Sequence, residues 1–134
     1  MGSFADYLED ALLDHVFGCG TRDMTSPTNI YVGLSTTTIT DAGGNITEPV
    51  GTWYARVETD ENDWDTAAAG AVDNVAELDF GTSDEDEAEV VDFFLADALS
   101  GGNILAYGTL TIAKTITIGD PVRFQIGDLV VSLD

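Results

Sequence analysis

Residues 90–112 read VVDFFLADALSGGNILAYGTLTI, the pattern in this chain that most clearly predicts a β fold. Its first seven residues, 90–96, are apolar enough for a central strand of a sheet. The turn-forming residues 100–103 follow, and residues 104–112 form a second, longer strand-like run. Because a Gly-Gly turn between two such runs favours a hairpin, we expect the two strands to pair with each other.

Further short strands are predicted on both sides of this hairpin. A run of strands without alternating helices is typical of antiparallel architectures, and 134 residues is a common length for one domain. We therefore predict a mainly β fold, an antiparallel β-sandwich or jelly-roll-like domain of about seven to eight strands. The additional strands are expected at residues 30–34, 53–58, 75–80, 116–118 and 122–133, with loops at 41–49, 60–70 and 83–89.

One helix is predicted before the strands, over residues 3–17. Ser3 is suited to cap its start, and Gly18 is suited to end it. The chain is thus expected to divide into residues 1–20, a helical element that either makes a contact or caps one end, and residues 21–134, the β-sandwich domain. Apolar residues at three- and four-residue spacing form one stripe of the helix, namely Phe4, Leu8, Ala11, Leu12, His15 and Val16, with Leu13 and Phe17 beside it.

The charge of the chain is extreme. Its 25 Asp and Glu against four Lys and Arg give a net charge of −21, and Lys114 is the single lysine. An apolar fraction of 44% is ordinary for a folded domain, so we expect the acids to lie on the surface of a fold. This surface favours a halophilic host, because concentrated salt screens the repulsion between carboxylates. The alternative is an acidic protein from a low-salt host, such as a nucleic-acid mimic or a calcium binder.

The composition also argues against several classes of partner. Binding to phosphates requires clustered cations, and the four cations here are scattered, so we expect no direct nucleic-acid binding. No run is long and apolar enough to span a membrane, and the N-terminus lacks a signal peptide, so we expect no membrane association. The single cysteine, Cys19, is expected to be a reduced apolar residue.

Motifs for catalysis or metal binding do not emerge from the sequence. The single histidine, His15, lies in the predicted helix, so we expect a packed or interfacial side chain and no enzymatic activity. EF-hand spacing fails from Asp60 and from Asp84, because acids stand at the sixth position where glycine is required. No cofactor is expected, apart from weak cation binding by the acidic loops 60–65 and 84–89.

Several short motifs, taken in order along the chain, resemble one family. They are YLE at 7–9, LLDHVFG at 12–18, IYVGLST at 30–36, TEP at 47–49, YARV at 54–57, FFLAD at 93–97, GGNIL at 101–105 and GD at 119–120, with Phe124, Gly127, Asp128, Leu129 and Leu133 near the end. The combination resembles the small virion proteins of tailed bacteriophages that are commonly labelled phage tail fibre proteins, and it covers nearly the whole chain. The acidic loops would suit a version from a virus of a halophilic archaeon.

The resemblance implies a virion structural protein at the virion surface, assembled in the host cytoplasm. Because the chain is short and lacks internal repeats, we expect a capsid decoration or cement protein on the outside of the head. Its expected partners are copies of itself, most simply in a trimer, and the major capsid protein or another virion protein. One alternative is a vertex turret, head-spike or tail-tip/tail-fibre protein in host contact. A second is a carbohydrate-binding jelly roll that would use Trp53 and Trp64 as sugar platforms.

Six residues form the candidate interface. Arg56 follows an aromatic pair in a chain with few cations, so we expect it to form an ion pair with a carboxylate, either buried or between subunits. The other residues belong to the helix stripe, which either contacts a partner or covers one open end of the sandwich. The candidate interface residues are Phe4, Leu8, Leu12, His15, Val16 and Arg56.

Overall fold

The structure is a computed structural model that describes residues 2–20 and 24–133. Nine strands, one α-helix and one short 3-10 helix at Glu61–Asp63 account for its regular elements. In chain order they are β1 (Gly2–Phe4), α1 (Asp6–Phe17), β2 (Ile30–Ser35), β3 (Val57–Thr59), β4 (Ala71–Asp73), β5 (Leu78–Thr82), β6 (Val90–Ala96), β7 (Ile104–Lys114), β8 (Pro121–Phe124) and β9 (Val130–Ser132). The predicted mainly β fold with one N-terminal helix is confirmed.

Seven of these strands form one mixed sheet, and two form a second sheet. The large sheet has the order β3-β2-β6-β7-β1-β9-β4, and β5 pairs with β8 in the small one. At the centre β6 and β7 pair antiparallel, with Phe94 opposite Tyr107, so the predicted hairpin is confirmed. The pairing of β1 with β9 is parallel, whereas the other pairings among the described residues are antiparallel.

Two apolar cores lie on the two faces of the central strands. Side chains alternate along a strand, so Phe93 and Leu95 join one core while Phe94 and Ala96 join the other. The main core is closed by the small sheet, which contributes Leu78, Phe80 and Val122. The smaller core contains Ile39, Phe94 and Ala96, and the loop after β2 covers it. The central hairpin therefore carries both cores.

The N-terminus departs from the sequence prediction. Ser3 does not cap the helix; it lies in β1 opposite Tyr107. The helix begins at Asp6, and Ala5 precedes it with no side-chain cap. The Ala5 N–H donates to the Leu105 carbonyl at 2.9 Å. Backbone pairing with β7 satisfies polar groups that a helix start would leave open, and this explains why the segment becomes a strand.

Some predicted strands are shorter or displaced. Residues 51–54 form a turn, in which the Tyr54 N–H donates to the Gly51 carbonyl at 3.1 Å, and the strand begins only at Val57. Residues 116–118 lie outside the strands, and the Ile118 N–H donates to a carboxylate oxygen of Asp86 at 2.9 Å. A backbone turn at the first segment and a carboxylate at the second thus take the place of strand partners where the sequence predicted strands.

Candidate interface

Helix α1 lies against the large sheet and is only partly covered by it. It contacts β7 and β1, and none of its residues is fully buried. Phe4 and Leu8 pack against the main core, and Leu12 is half-buried. Gly18 ends the helix in the left-handed conformation, with φ of 70°, as predicted. The first half of the predicted stripe therefore packs against the sheet, whereas His15 and Val16 in the second half are exposed.

The last turn of α1 exposes a cluster of large apolar side chains. Leu13, Val16 and Phe17 are 53%, 64% and 74% exposed. They are spaced i, i+3 and i+4, so they share one side of the helix. His15 is also exposed in this turn. We name Leu13, Val16 and Phe17 the helix tip. The sequence placed Val16 in the candidate interface and treated Leu13 and Phe17 only as flanking residues.

A groove of about 770 Å³ runs between α1 and the segment 24–29. Its walls carry two tyrosines and three carboxylates beside hydroxyl and amide groups. The acidic and aromatic residues that line it are Tyr7, Asp10, Asp14, Tyr31 and Asp97. The groove therefore carries negative charge along the side of the helix that holds Asp10 and Asp14.

Arg56 joins three parts of the chain. Its Nε donates to Glu48 at 2.7 Å, and its side chain is 8% exposed. Nη1 donates to the carbonyl oxygens of Ala98 and Gly101, each at 2.8 Å. The guanidinium also lies 4.8 Å from the centre of the Phe94 ring. Of the two arrangements that the sequence left open, the structure contains the buried ion pair within one chain.

Tyr54 lies beside the same ion pair. Its hydroxyl accepts from the Leu34 N–H at 3.0 Å and donates to Glu48 at 3.3 Å. Its ring stacks on Phe80 in the main core. Burial, assisted by the negative charge of Glu48, raises the pKa of Tyr54 well above its usual value. The hydroxyl therefore stays protonated and links the loop that carries Glu48 to β2.

Asp92 is a buried carboxylate that the sequence analysis did not single out. It lies in β6 within the apolar run of the central hairpin and is 1% exposed. One oxygen accepts from the Ile39 N–H at 2.7 Å, which fixes the loop over the smaller core. The other oxygen has no hydrogen-bond partner among the described residues. A lone acid inside an apolar strand was the available signal.

In each of the two acidic loops, carboxylates accept hydrogen bonds that hold nearby backbone in place. Asp60 accepts from the Asn62 N–H and, together with Asp63, forms a capping box on the 3-10 helix. Glu87 accepts from the Gly51 N–H at 2.6 Å and from the Trp53 indole at 3.2 Å. Within residues 2–20 and 24–133, no group of three or more His, Cys, Asp or Glu side chains is arranged to hold a metal ion. Cation binding by these loops stays a prediction.

The two tryptophans that were candidate sugar platforms are half-buried. Both pack against the main core. The Trp53 indole N–H bonds to Glu87, and the Trp64 indole N–H donates to the Thr59 hydroxyl at 3.0 Å. These rings therefore hold loops against the main core, and a sugar-binding role for them stays a prediction.

Comparison with known proteins places the chain in a family. Residues 3–132 match the family model described as "Podophage GP4 fiber I protein gp80". The chain belongs to this fibre protein family. The match includes two of the three residues of β1 and all of β9, so every strand of the large sheet contributes to it. The resemblance to tail-fibre proteins of tailed phages is thereby confirmed, and the chain is a phage fibre-type virion structural protein.

One further comparison and one structural observation bear on the chain. No curated protein sequence matches it. Among the described residues, no helix has both the length and the apolar character needed to cross a membrane.

Proposed function

We propose that this fibre-family member is a non-enzymatic structural subunit of the tail fibre of a tailed virus, where it joins neighbouring virion proteins through α1. The observation that carries this proposal is the family match over residues 3–132, which includes the helix. The exposed helix tip supports the role of α1, because three large apolar side chains in water favour a partner.

The polar groups of the chain support a structural role over a catalytic one. Asp92 holds a loop onto β6, and Glu87 and Arg56 hold loops and turns together. Glu87 and Arg56 each bond two backbone groups, and Asp92 accepts from one backbone N–H through one carboxylate oxygen, as expected of groups that position backbone. We infer that binding and assembly, and not chemistry on a substrate, are the work of this fibre subunit.

We infer that the host is a halophilic archaeon. The net charge of −21 would cause strong self-repulsion in dilute buffer, and salt at about 1 M shortens the Debye length to about 3 Å. Exposed carboxylates far outnumber the cations that could neutralise them. A fibre protein exposed to brine would keep such a surface solvated.

Position on the virion is tested by copy number. A fibre subunit is expected at tens of copies or fewer per particle, whereas the capsid decoration role expected from the sequence requires a number comparable to the major capsid protein. Quantitative mass spectrometry of purified virions, with isotope-labelled peptides from both proteins, measures the ratio directly. A ratio near one would favour the decoration or cement role and overturn the fibre assignment.

A further inference from the structure

The helix tip is the apolar end of a strongly acidic element. Residues 2–20 contain four Asp and Glu and no Lys or Arg. Asp6, Glu9 and Asp10 are exposed in the turns that precede the tip. Their positions lie on the same side of the helix as Leu13 and Phe17, given 3.6 residues per turn. A partner for this helix must therefore accept apolar side chains and tolerate neighbouring negative charge.

A second exposed surface has the complementary character. A cleft of about 300 Å³ opens between β7 and β8, and its floor is formed by main-core residues such as Phe80 and Ile116. Ile112 stands at its edge and is 82% exposed. Lys114 and Arg123 also line this cleft. We name it the β7–β8 cleft.

The cations at the β7–β8 cleft are two of only four in the chain. Arg56 is buried, and Arg22 lies outside the described residues. Lys114 lies 3.9 Å from Asp120, and Arg123 lies 3.1 Å from Glu77, with all four side chains substantially exposed. Exposed pairs of this kind contribute about 0–1 kcal/mol, so they can exchange partners at low cost.

We propose that the helix tip of one copy docks into the β7–β8 cleft of a second copy. Anchors at i, i+3 and i+4 are the pattern by which an amphipathic helix fills an apolar groove. Phe17 and Leu13 cover Ile112 and the floor of the cleft, while Glu9 and Asp10 approach Lys114 and Arg123. This contact rests on the proposed function, because it supplies the copy-to-copy joint that a fibre needs.

The proposed joint uses two different surfaces on each chain. It is therefore head-to-tail, and each copy keeps one free helix tip and one free cleft until further copies bind. Such an arrangement closes into a ring or continues as a filament. A symmetric helix-to-helix dimer would instead bring two acidic helices together, and their like charges would repel.

Mixing two disabled variants tests the contact. Phe17→Ser removes the main anchor, Ile112→Ser polarises the cleft, and Ile126→Ser is the matched control because Ile126 is 67% exposed and lines neither surface. Sedimentation velocity at about 1 M NaCl, where the Debye length is about 3 Å, compares them. Wild type and the control should assemble, and each disabled variant alone should bind at least about tenfold more weakly.

The mixture is decisive because each variant keeps one intact surface. Phe17→Ser retains the cleft and Ile112→Ser retains the helix tip, so a one-to-one mixture should form dimers and nothing larger. A mixture that stays monomeric overturns the proposal, as does an Ile112→Ser variant that assembles like wild type. Monomeric wild-type protein also overturns the contact, while copy number per virion remains an independent test of the fibre role.

Charge reversal provides a second test that does not depend on packing. The Lys114→Glu/Arg123→Glu double variant should weaken assembly by about tenfold or more at about 0.15 M salt, where charges interact over about 8 Å. Adding Glu9→Lys and Asp10→Lys to the same chain should restore it. If neither the Lys114→Glu/Arg123→Glu change nor the added Glu9→Lys/Asp10→Lys change alters assembly, the assigned role of these charges is contradicted.

Discussion

Arg56 connects three separate parts of the chain, so its loss should cost far more stability than the loss of an exposed cation. Arg56→Met keeps an unbranched apolar stem and removes the guanidinium. The ion pair with Glu48, two bonds to the backbone carbonyls of Ala98 and Gly101, and the contact with Phe94 are lost together. The loop, the turn after β6 and the smaller core then lose their common anchor.

The magnitude follows from burial. Removing one partner of a buried ion pair costs about 3–5 kcal/mol. The Glu48 side chain is 31% exposed and regains water, so the lower part of that range applies. The hydrogen bonds and the ring contact belong to the same side chain and are not added separately. We expect a loss of about 3 kcal/mol, which lowers the melting temperature by roughly 10 °C for a domain of this size.

The assay is urea unfolding followed by circular dichroism, with Arg123→Met as the matched control. Arg123 also pairs with one glutamate, but its side chain is 38% exposed, so its replacement should change stability by less than about 1 kcal/mol. Both changes are made in a Phe17→Ser background, so that the proposed assembly does not alter the comparison. Equal losses of stability for Arg56→Met and Arg123→Met would show that burial of Arg56 does not set the cost of its removal.

Three further predictions concern the whole domain. The melting temperature of the wild-type chain should rise between about 0.01 M and about 1 M NaCl, as the Debye length falls from about 30 Å to about 3 Å, and a flat or falling curve would contradict the expected role of salt. Burial raises the pKa of Tyr54 in the folded chain. The stability that its protonated hydroxyl contributes is therefore complete below the ordinary tyrosine pKa of about 10 and is lost as pH rises above that value. Above that pH, the free energy of unfolding should therefore fall more steeply with pH for wild type than for Tyr54→Phe. Identical slopes would contradict the raised pKa. A Cβ at Gly33 would lie 2.2 Å from the Phe94 ring, so Gly33→Ala should destabilise by about 1–3 kcal/mol in urea unfolding, and an unchanged midpoint would show that the ring can move aside.

The sequence was most informative where burial leaves a strong pattern. The hairpin of β6 and β7 was predictable, because two apolar runs flank a Gly-Gly turn. The insertion of β1 between β7 and β9 was not, because residues 2–4 continue the apolar pattern of the helix and the pairing partner lies more than 100 residues away. Local periodicity carries no information on such distant pairing.

The candidate site was predictable only in part. Periodicity identified α1 and its apolar side chains, but it does not say where the supporting sheet stops, so the exposure of Leu13 and Phe17 emerged only from the structure. Glu87 was hidden for a different reason. In a chain with 25 acids, a carboxylate that holds backbone in place looks the same as one that faces solvent.

The proposed place of the chain in the tail fibre can be tested by locating the chain on the virion. Gold-labelled antibodies raised against the purified chain can be applied to intact virions and viewed by electron microscopy. We expect label on the tail fibres and none over the head. Label spread over the head shell would contradict it and support capsid decoration, and unlabelled particles would contradict any place on the virion surface.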